Sequence, residues 1–479
     1  MPVPGGTEFP VPQISRFRRP AAKKGIYRFL QILLTGNGKR QNPVTGQNTD
    51  FKPDALIQQV PAQPQQPAQL VVQLLRAAPQ LQGQKHPKDR KRTLISAVAA
   101  DLLLLGFFKY FGFLLENVNA LLKTGFSAPQ ASMPLGVSFF TFSILSCLFD
   151  VYRGKAKVQN PMSFALYVCF FPKLVSGPIV QYAQFDAQLR SKKRPSIRWG
   201  RACRLFLTGL AKKVILSNTL GSTFYALSAQ AAVSTLGAWL GALSYSLMLY
   251  FDFSGYSDMA IALAELCGFR FGKNFDYPYL SAGVSEFWRR WHISLGAWFR
   301  DYVYIPLGGS RVGTLKNIRN LFVVWALTGI WHGASWTFVF WGLYYGVLLA
   351  AEKYLLKGVL DRIPLVIRRM TTLLLVVVGW VFFFSPDLGS AISWLGAMFG
   401  RTELGFADGL ALYHLASGWL PLVIAAFAAC PLGARIGSRI SRMGPVGAAL
   451  SAIWWALLLC LCIAGMMRST YSSFLYFQF

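Results

Sequence analysis

Leu321-Phe322-Val323-Val324-Trp325-Ala326-Leu327-Thr328-Gly329-Ile330-Trp331-His332-Gly333-Ala334-Ser335-Trp336 opens an apolar run that continues to residue 350. A helix needs ~20 such residues to cross the hydrocarbon core of a bilayer, and this run exceeds that. His332 sits inside it. An ionisable side chain at that depth is costly unless it faces protein or water, so it is a functional candidate by default. Imidazole titrates near neutral pH, which suits proton transfer. Gly329 and Gly333, four residues apart, are expected on one helical face, where small residues admit a second helix or a substrate. The competing reading is a histidine hydrogen-bonded between helices for packing alone.

Upstream, Trp288-Arg289-Arg290-Trp291-His292-Ile293-Ser294-Leu295 places a second of the four histidines in a related setting. Residues 278–311 alternate charge with aromatics and are too polar to span. Short amphipathic helices at the cytoplasmic interface fit them best. Glu286, Arg289 and Arg290 fall at i, i+3 and i+4, which offers a local ion pair.

The whole chain carries the same signature. Of its 479 residues 54% are hydrophobic and only 14% charged, and long apolar runs recur. The fold class is all-α, a polytopic integral membrane protein of the cell membrane; a β-barrel would show short alternating strands instead. The net charge of +29 reads as topology, because Lys and Arg gather in loops that stay in the cytoplasm. One cluster runs from Arg190 through Arg198 and Arg201 to Arg204, another from Arg289 to Arg319. No nucleic-acid-binding signature accompanies the charge, so nucleic acid is not expected as a partner. The seven cysteines lack the paired spacing of a metal site and read as small buried hydrophobes.

Residues 1–91 differ from the rest. They are rich in Pro, Gln, Lys and Arg, and read as a disordered or only locally helical tail, with His86 solvated. The membrane domain, residues 92–479, begins with an expected span over 97–115 that contains Asp101 and Lys109. Residues 133–151 form the next. Residues 164–182 are broken by Pro172 and by Ser176-Gly177-Pro178, so a re-entrant segment is expected, since irregular backbone survives at that depth only inside protein or along a cavity. Residues 199–217, 236–264, 321–331 with 336–350, 371–384, 419–432 and 448–466 bring the count to eight or nine membrane segments. Asp252 and Asp258, six apart, do not share a helical face. They need separate partners, among which Lys212, Lys213 or Arg289 would serve, and a structural ion pair is the favoured reading. His414 is expected between segments, at an interface.

Several extended stretches in order resemble the membrane-bound O-acyltransferase family, in its bacterial branch of alginate O-acetyltransferases and teichoic acid D-alanyl transferases. They are residues 134–142, 149–155 and 171–179, then 251–259, 274–311 and 329–341, with a closing Phe474-Leu475-Tyr476-Phe477-Gln478-Phe479 similar to the alginate type. The resemblance covers residue 91 to the end. It implies an MBOAT-type helical bundle with re-entrant segments, and acyl transfer across the membrane from a cytoplasmic thioester. His332 takes the position of the essential histidine at the bottom of a funnel, and His292 that of the second, nearer the cytoplasm. The donor is a co-substrate, acetyl-CoA or an acyl carrier, and no bound cofactor or metal is implied. A secreted or membrane-anchored partner related to serine hydrolases completes transfer to a polysaccharide hydroxyl. Members usually open with two or more apolar spans where this chain has its polar tail, so the tail reads as a displaced gene start or a truncation.

Such a transfer needs a base for the hydroxyl proton and donors for the tetrahedral oxyanion. His332 suits the first role. Backbone N–H groups around Gly329 or Gly333, or the indoles of Trp331 or Trp336, suit the second. Asn274 and Asp276 are candidate organisers of a substrate tunnel, with Lys173, Ser176 and Asp252 in support. Tyr476 is either an acyl relay, its phenol (pKa ~10) lying between a thiol and an alkyl hydroxyl as a leaving group, or an interfacial aromatic anchor. A transporter or flippase, a non-catalytic scaffold and D-alanyl transfer to teichoic acid are the alternatives.

Overall fold

The computed structural model describes residues 77–127, 134, 136–158, 160–192 and 196–468, all within one compact unit spanning 67–479. Every regular element among them is helical. Tyr476 lies outside the described residues, as does most of the tail.

Helix α1 (Pro87–Leu122) is continuous over 36 residues and starts on a proline, whose missing N–H costs nothing in a first turn. Its hydrogen bonding widens to a π turn over Gly106–Tyr110. The ordered body begins ahead of residue 92: Ala78 and Leu81 are buried against Ile144 and Leu148, and Arg90 donates to the Tyr152 carbonyl at 3.0 Å. His86, the residue before α1, is exposed.

Helix α2 (Val137–Tyr152) is followed by the expected broken segment. It consists of α3 (Pro161–Val168), the single turn α4 (Phe171–Leu174) and irregular chain up to α5 (Tyr182–Arg190). Pro172 sits in the first turn of α4, and Gly177 packs so tightly on the Pro172 carbonyl that a Cβ would overlap it. Helix α6 (Trp199–Ala211) passes through a π turn at Lys212–Ser217 into α7 (Asn218–Ser228). The 32-residue α8 (Thr235–Leu266), capped by Ser234, is largely buried and packs against both. The rest of the chain forms α9 (Val284–Arg290), α10 (Ile293–Phe299), α11 (Thr314–His332), α12 (Trp336–Tyr354), α13 (Leu365–Phe384), α14 (Leu388–Met398), α15 (Gly409–Ala428), α16 (Leu432–Ile440) and α17 (Gly444–Arg468).

Among the described residues four helices, α1, α13, α15 and α17, are long and apolar enough to cross a membrane, and α2 and α14 are shorter apolar helices. The count of eight or nine rested on apolar runs alone. Helix α8 lies largely inside protein, where Ser, Gly and paired charges are tolerated, and α11 and α12 each bury one face and expose the other. The short helices expected over 278–311 are present, with Phe287, Trp291, Trp298 and Tyr302 buried in the protein core. Two expectations are corrected. His414 lies within α15, which Asp408 caps through the Ala411 N–H at 2.8 Å. Of the cysteines, Cys147 and Cys462 are buried, but Cys169, Cys203, Cys267 and Cys460 are exposed, Cys169 and Cys267 because they end helices α3 and α8.

Candidate active site

His332 is the last residue of α11. Gly333 is extended, and Ser335 caps α12 by accepting from the Thr337 N–H at 3.3 Å. The run read from sequence is therefore two helices with a three-residue break. The last carbonyls of a helix have no intrahelical donor, and here α1 supplies donors. Lys109 Nζ donates to the carbonyls of Trp331 (2.6 Å) and His332 (3.2 Å), and Tyr110 Oη to that of Ile330 (2.8 Å). An ammonium at a helix C-terminus also opposes the negative end of the dipole. The imidazole is buried, with ring centres of Trp331, Trp341 and Phe383 at 4.8, 5.0 and 5.2 Å.

The glycines act differently from one another. Gly329 and Gly342 face each other where α11 crosses α12, and a Cβ on Gly329 would overlap the Phe338 carbonyl. Gly333 lies past the helix end, so it shares no helical face with Gly329; a Cβ there would overlap the Phe338 ring.

His292 joins α9 to α10 with φ +44°, a left-handed conformation unusual for a residue with a Cβ. Such a residue costs about 1–3 kcal/mol and persists only where its surroundings hold it. Asn274 does so. Its Oδ1 accepts from the Ser294 N–H (3.1 Å) and hydroxyl (2.9 Å) and lies 3.2 Å from His292 Nδ1, while its Nδ2 donates to Ser257 Oγ at 2.9 Å. The Asn274 carbonyl also receives the Ile293 N–H at 2.9 Å. The backbone donor at Oδ1 fixes which way the amide points, so Nδ1 of the neutral ring carries the hydrogen. Nε2 is then a proton acceptor, and it is buried with no hydrogen-bond partner among the described residues.

Aromatic packing links the two histidines. Phe253 packs edge-on to the His292 ring at 4.6 Å and shares an apolar cluster with Trp331, the residue before His332. The Trp331 indole N–H is buried and unpartnered among the described residues. Trp336 is half exposed and its indole donates to Asn117 at 2.9 Å, which removes it from the pair of candidate oxyanion donors.

The remaining candidates disperse. Asp276 stands at the rim, ion-paired to Lys273 at 2.7 Å. Asp252 is joined to Lys213 at 2.6 Å and Asp258 to Lys212 at 2.6 Å, separate partners as anticipated. Arg290 pairs with Glu286 at 2.6 Å. Lys173 is buried, donates to Ser143 Oγ at 2.8 Å, and lies over the Tyr167 ring at 3.9 Å. The Ser176 hydroxyl is buried without a hydrogen-bond partner among the described residues. Sequence reading missed the grip of Lys109 and Tyr110 and the roles of Ser257 and Ser294. Only Ser294, two residues from His292, carried a local signal. Among the described residues no group of three His, Cys, Asp or Glu side chains is placed to hold a metal ion.

Residues 113–387 match the family described as MBOAT, membrane-bound O-acyltransferase family. The chain is 38% identical over 413 residues to the probable alginate O-acetylase AlgI of Pseudomonas putida, covering 82% of this chain and 85% of that one. It is 35% identical over 365 residues to the peptidoglycan O-acetyltransferase of Helicobacter pylori, covering 69% and 68%. It is 31% identical over 262 residues to the teichoic acid D-alanyltransferase of Bacillus subtilis, covering 52% and 66%.

Proposed function

Because this chain belongs to the membrane-bound O-acyltransferase family and is an O-acyltransferase, we propose that it moves an acetyl group from a cytoplasmic thioester across the cell membrane for O-acetylation of an extracytoplasmic polysaccharide. The observation that carries the reading is the buried imidazole of His332 at the α11–α12 break, linked through Trp331 and Phe253 to His292, whose Nε2 is left as an acceptor. Acetyl is favoured over D-alanyl because the alginate relative matches at higher identity and over more of the chain than the D-alanyl relative.

In the proposed reaction His332 accepts the proton of an acceptor hydroxyl as its oxygen attacks the thioester carbonyl. The tetrahedral oxyanion takes a hydrogen bond from the Trp331 indole. The C–S bond then breaks, and the proton held on His332 passes to the departing thiolate. His292 orients the donor or relays the proton, with Asn274 fixing its tautomer. Lys173 and Ser176 support the passage for substrate. The acceptor hydroxyl belongs to the polymer itself, to a serine-hydrolase-like partner outside the membrane, or to Tyr476 as a relay.

Membrane vesicles containing the full chain, supplied with isotope-labelled acetyl-CoA and a soluble polysaccharide together with any secreted partner, test this. His332→Ala is expected to lower labelled ester formation by at least ~10³-fold with protein levels unchanged, the scale of losing an essential base with its positioning. Undiminished esterification by His332→Ala would favour a scaffold, and passage of an intact solute a transporter.

A further inference from the structure

The loop leaving α8 carries Phe269, Arg270 and Phe271, and three residues further on reaches Asn274, the residue that orients His292. With Arg198 and Arg201 at the start of α6 and Glu265 at the end of α8, it lines a cleft of about 140 Å³. Glu265 is buried and receives Arg198 Nε at 2.9 Å and Arg201 Nη1 at 3.4 Å. Those pairs anchor two guanidiniums whose side chains remain 46% and 50% exposed. Three guanidiniums against one carboxylate leave two positive charges in excess.

Arg270 is held in a different way. Gln188 grips its backbone on both sides, accepting from its N–H at 2.7 Å and donating to its carbonyl at 3.1 Å. Its guanidinium makes no hydrogen bond or ion pair among the described residues. The aromatic side of the cleft is equally fixed, with Phe269 stacked on Phe185 at 4.5 Å and Phe271 packed by Phe170 at 6.0 Å. Charges that serve only to set topology need no cleft and no fixed backbone. A planar fork of donors on a rigid support suits the oxygens of a phosphate.

We propose that this cleft binds a phosphate ester. Arg198, Arg201 and Arg270 take the phosphate oxygens, and Phe269 and Phe271 take the flat or apolar remainder. Two sources carry this chemistry: the nucleotide end of a soluble acyl thioester carrier, and the headgroup of an anionic phospholipid. The first rests on the acyl-transfer reading; the second does not.

The test uses the full chain in phosphatidylcholine nanodiscs, with coenzyme A as one probe, and in nanodiscs doped with phosphatidylglycerol, whose retention is read by native mass spectrometry. Binding is read without turnover, so failure of the acetyl-transfer reading in the His332→Ala assay leaves this measurement intact. Arg270→Ala is expected to weaken the bound probe about tenfold, the scale of one charge-assisted hydrogen bond. Arg270→Lys is expected to recover part of that loss, and Arg439→Ala, on the exposed face of α16, to change nothing. A loss for coenzyme A identifies the carrier, and a loss for phosphatidylglycerol identifies the lipid. If neither probe loses affinity in Arg270→Ala or in the Arg198→Ala/Arg201→Ala double variant, the proposal is overturned.

Discussion

Trp331 and Trp336 look interchangeable in sequence, each a tryptophan beside the same Trp-His-Gly turn, yet the fold gives them opposite surroundings. Trp331 is buried with an indole N–H unpartnered among the described residues, whereas Trp336 points outward and spends its N–H on Asn117. A preorganised donor aimed at a developing oxyanion contributes a factor of about 10²–10³ to turnover. Trp331→Phe retains most of the ring and removes the donor, so kcat is expected to fall by roughly that factor with little change in KM. Trp336→Phe is expected to leave kcat within about twofold, losing only one exposed hydrogen bond. Equal kinetics for the two variants would remove Trp331 from the chemistry. His332 itself was legible because an ionisable group in an apolar run stands out. Lys109 was visible as a charge, but its partners lie 222 and 223 residues away, and no local pattern encodes that.

At the scale of elements, the α11–α12 pair is the part that sequence described well. The sequence left a single span or a broken pair open around His332, and the structure has the broken pair, with Ser335 capping the second helix. What the residues could not show is which glycine the packing needs. Gly329 sits where α11 crosses α12 with no room for a Cβ, while Gly313, just before α11, has open space around it. Gly329→Ala is expected to destabilise the protein by about 1–3 kcal/mol, the cost of overpacking a tight contact. Because the same crossing positions His332, acyl transfer is expected to fall with it. Gly313→Ala, which meets no neighbour and loses only the preference of an N-cap for glycine over alanine, serves as the control and should lower the melting temperature of the detergent-solubilised protein by less than Gly329→Ala does. A Gly329→Ala protein with wild-type melting would show that the crossing has slack. The misplacement of His414 has a related cause. Asp408 was not read as a cap, so the turns of α15 before Trp419 were taken for a connection.

For the molecule as a whole, long buried α8 links the charged half of the bundle to the site, and its fixed point is an ion pair. Asp252, 2% exposed, meets Lys213, 10% exposed, at 2.6 Å, and Ser217 Oγ lies 3.4 Å from the same carboxylate oxygen. Phe253, the next residue, presses on the His292 ring. The spacing of Asp252 and Asp258 pointed to separate ion pairs with Lys212 or Lys213 among the candidates, but not to the wide π turn at Lys212–Ser217 that presents consecutive lysines to both. Breaking a buried pair on one side leaves an uncompensated charge and typically costs 3–5 kcal/mol, whereas replacing both partners with apolar groups is often near neutral. Lys213→Met is therefore expected to lower the melting temperature sharply, and adding Asp252→Leu in the same chain to restore most of it. If α8 does position His292, the double variant should recover acyl transfer along with stability, since neither side chain takes part in the chemistry. Recovered stability with activity still lost would instead place Asp252 in the reaction itself, and additive losses in stability would mean the pair is not coupled.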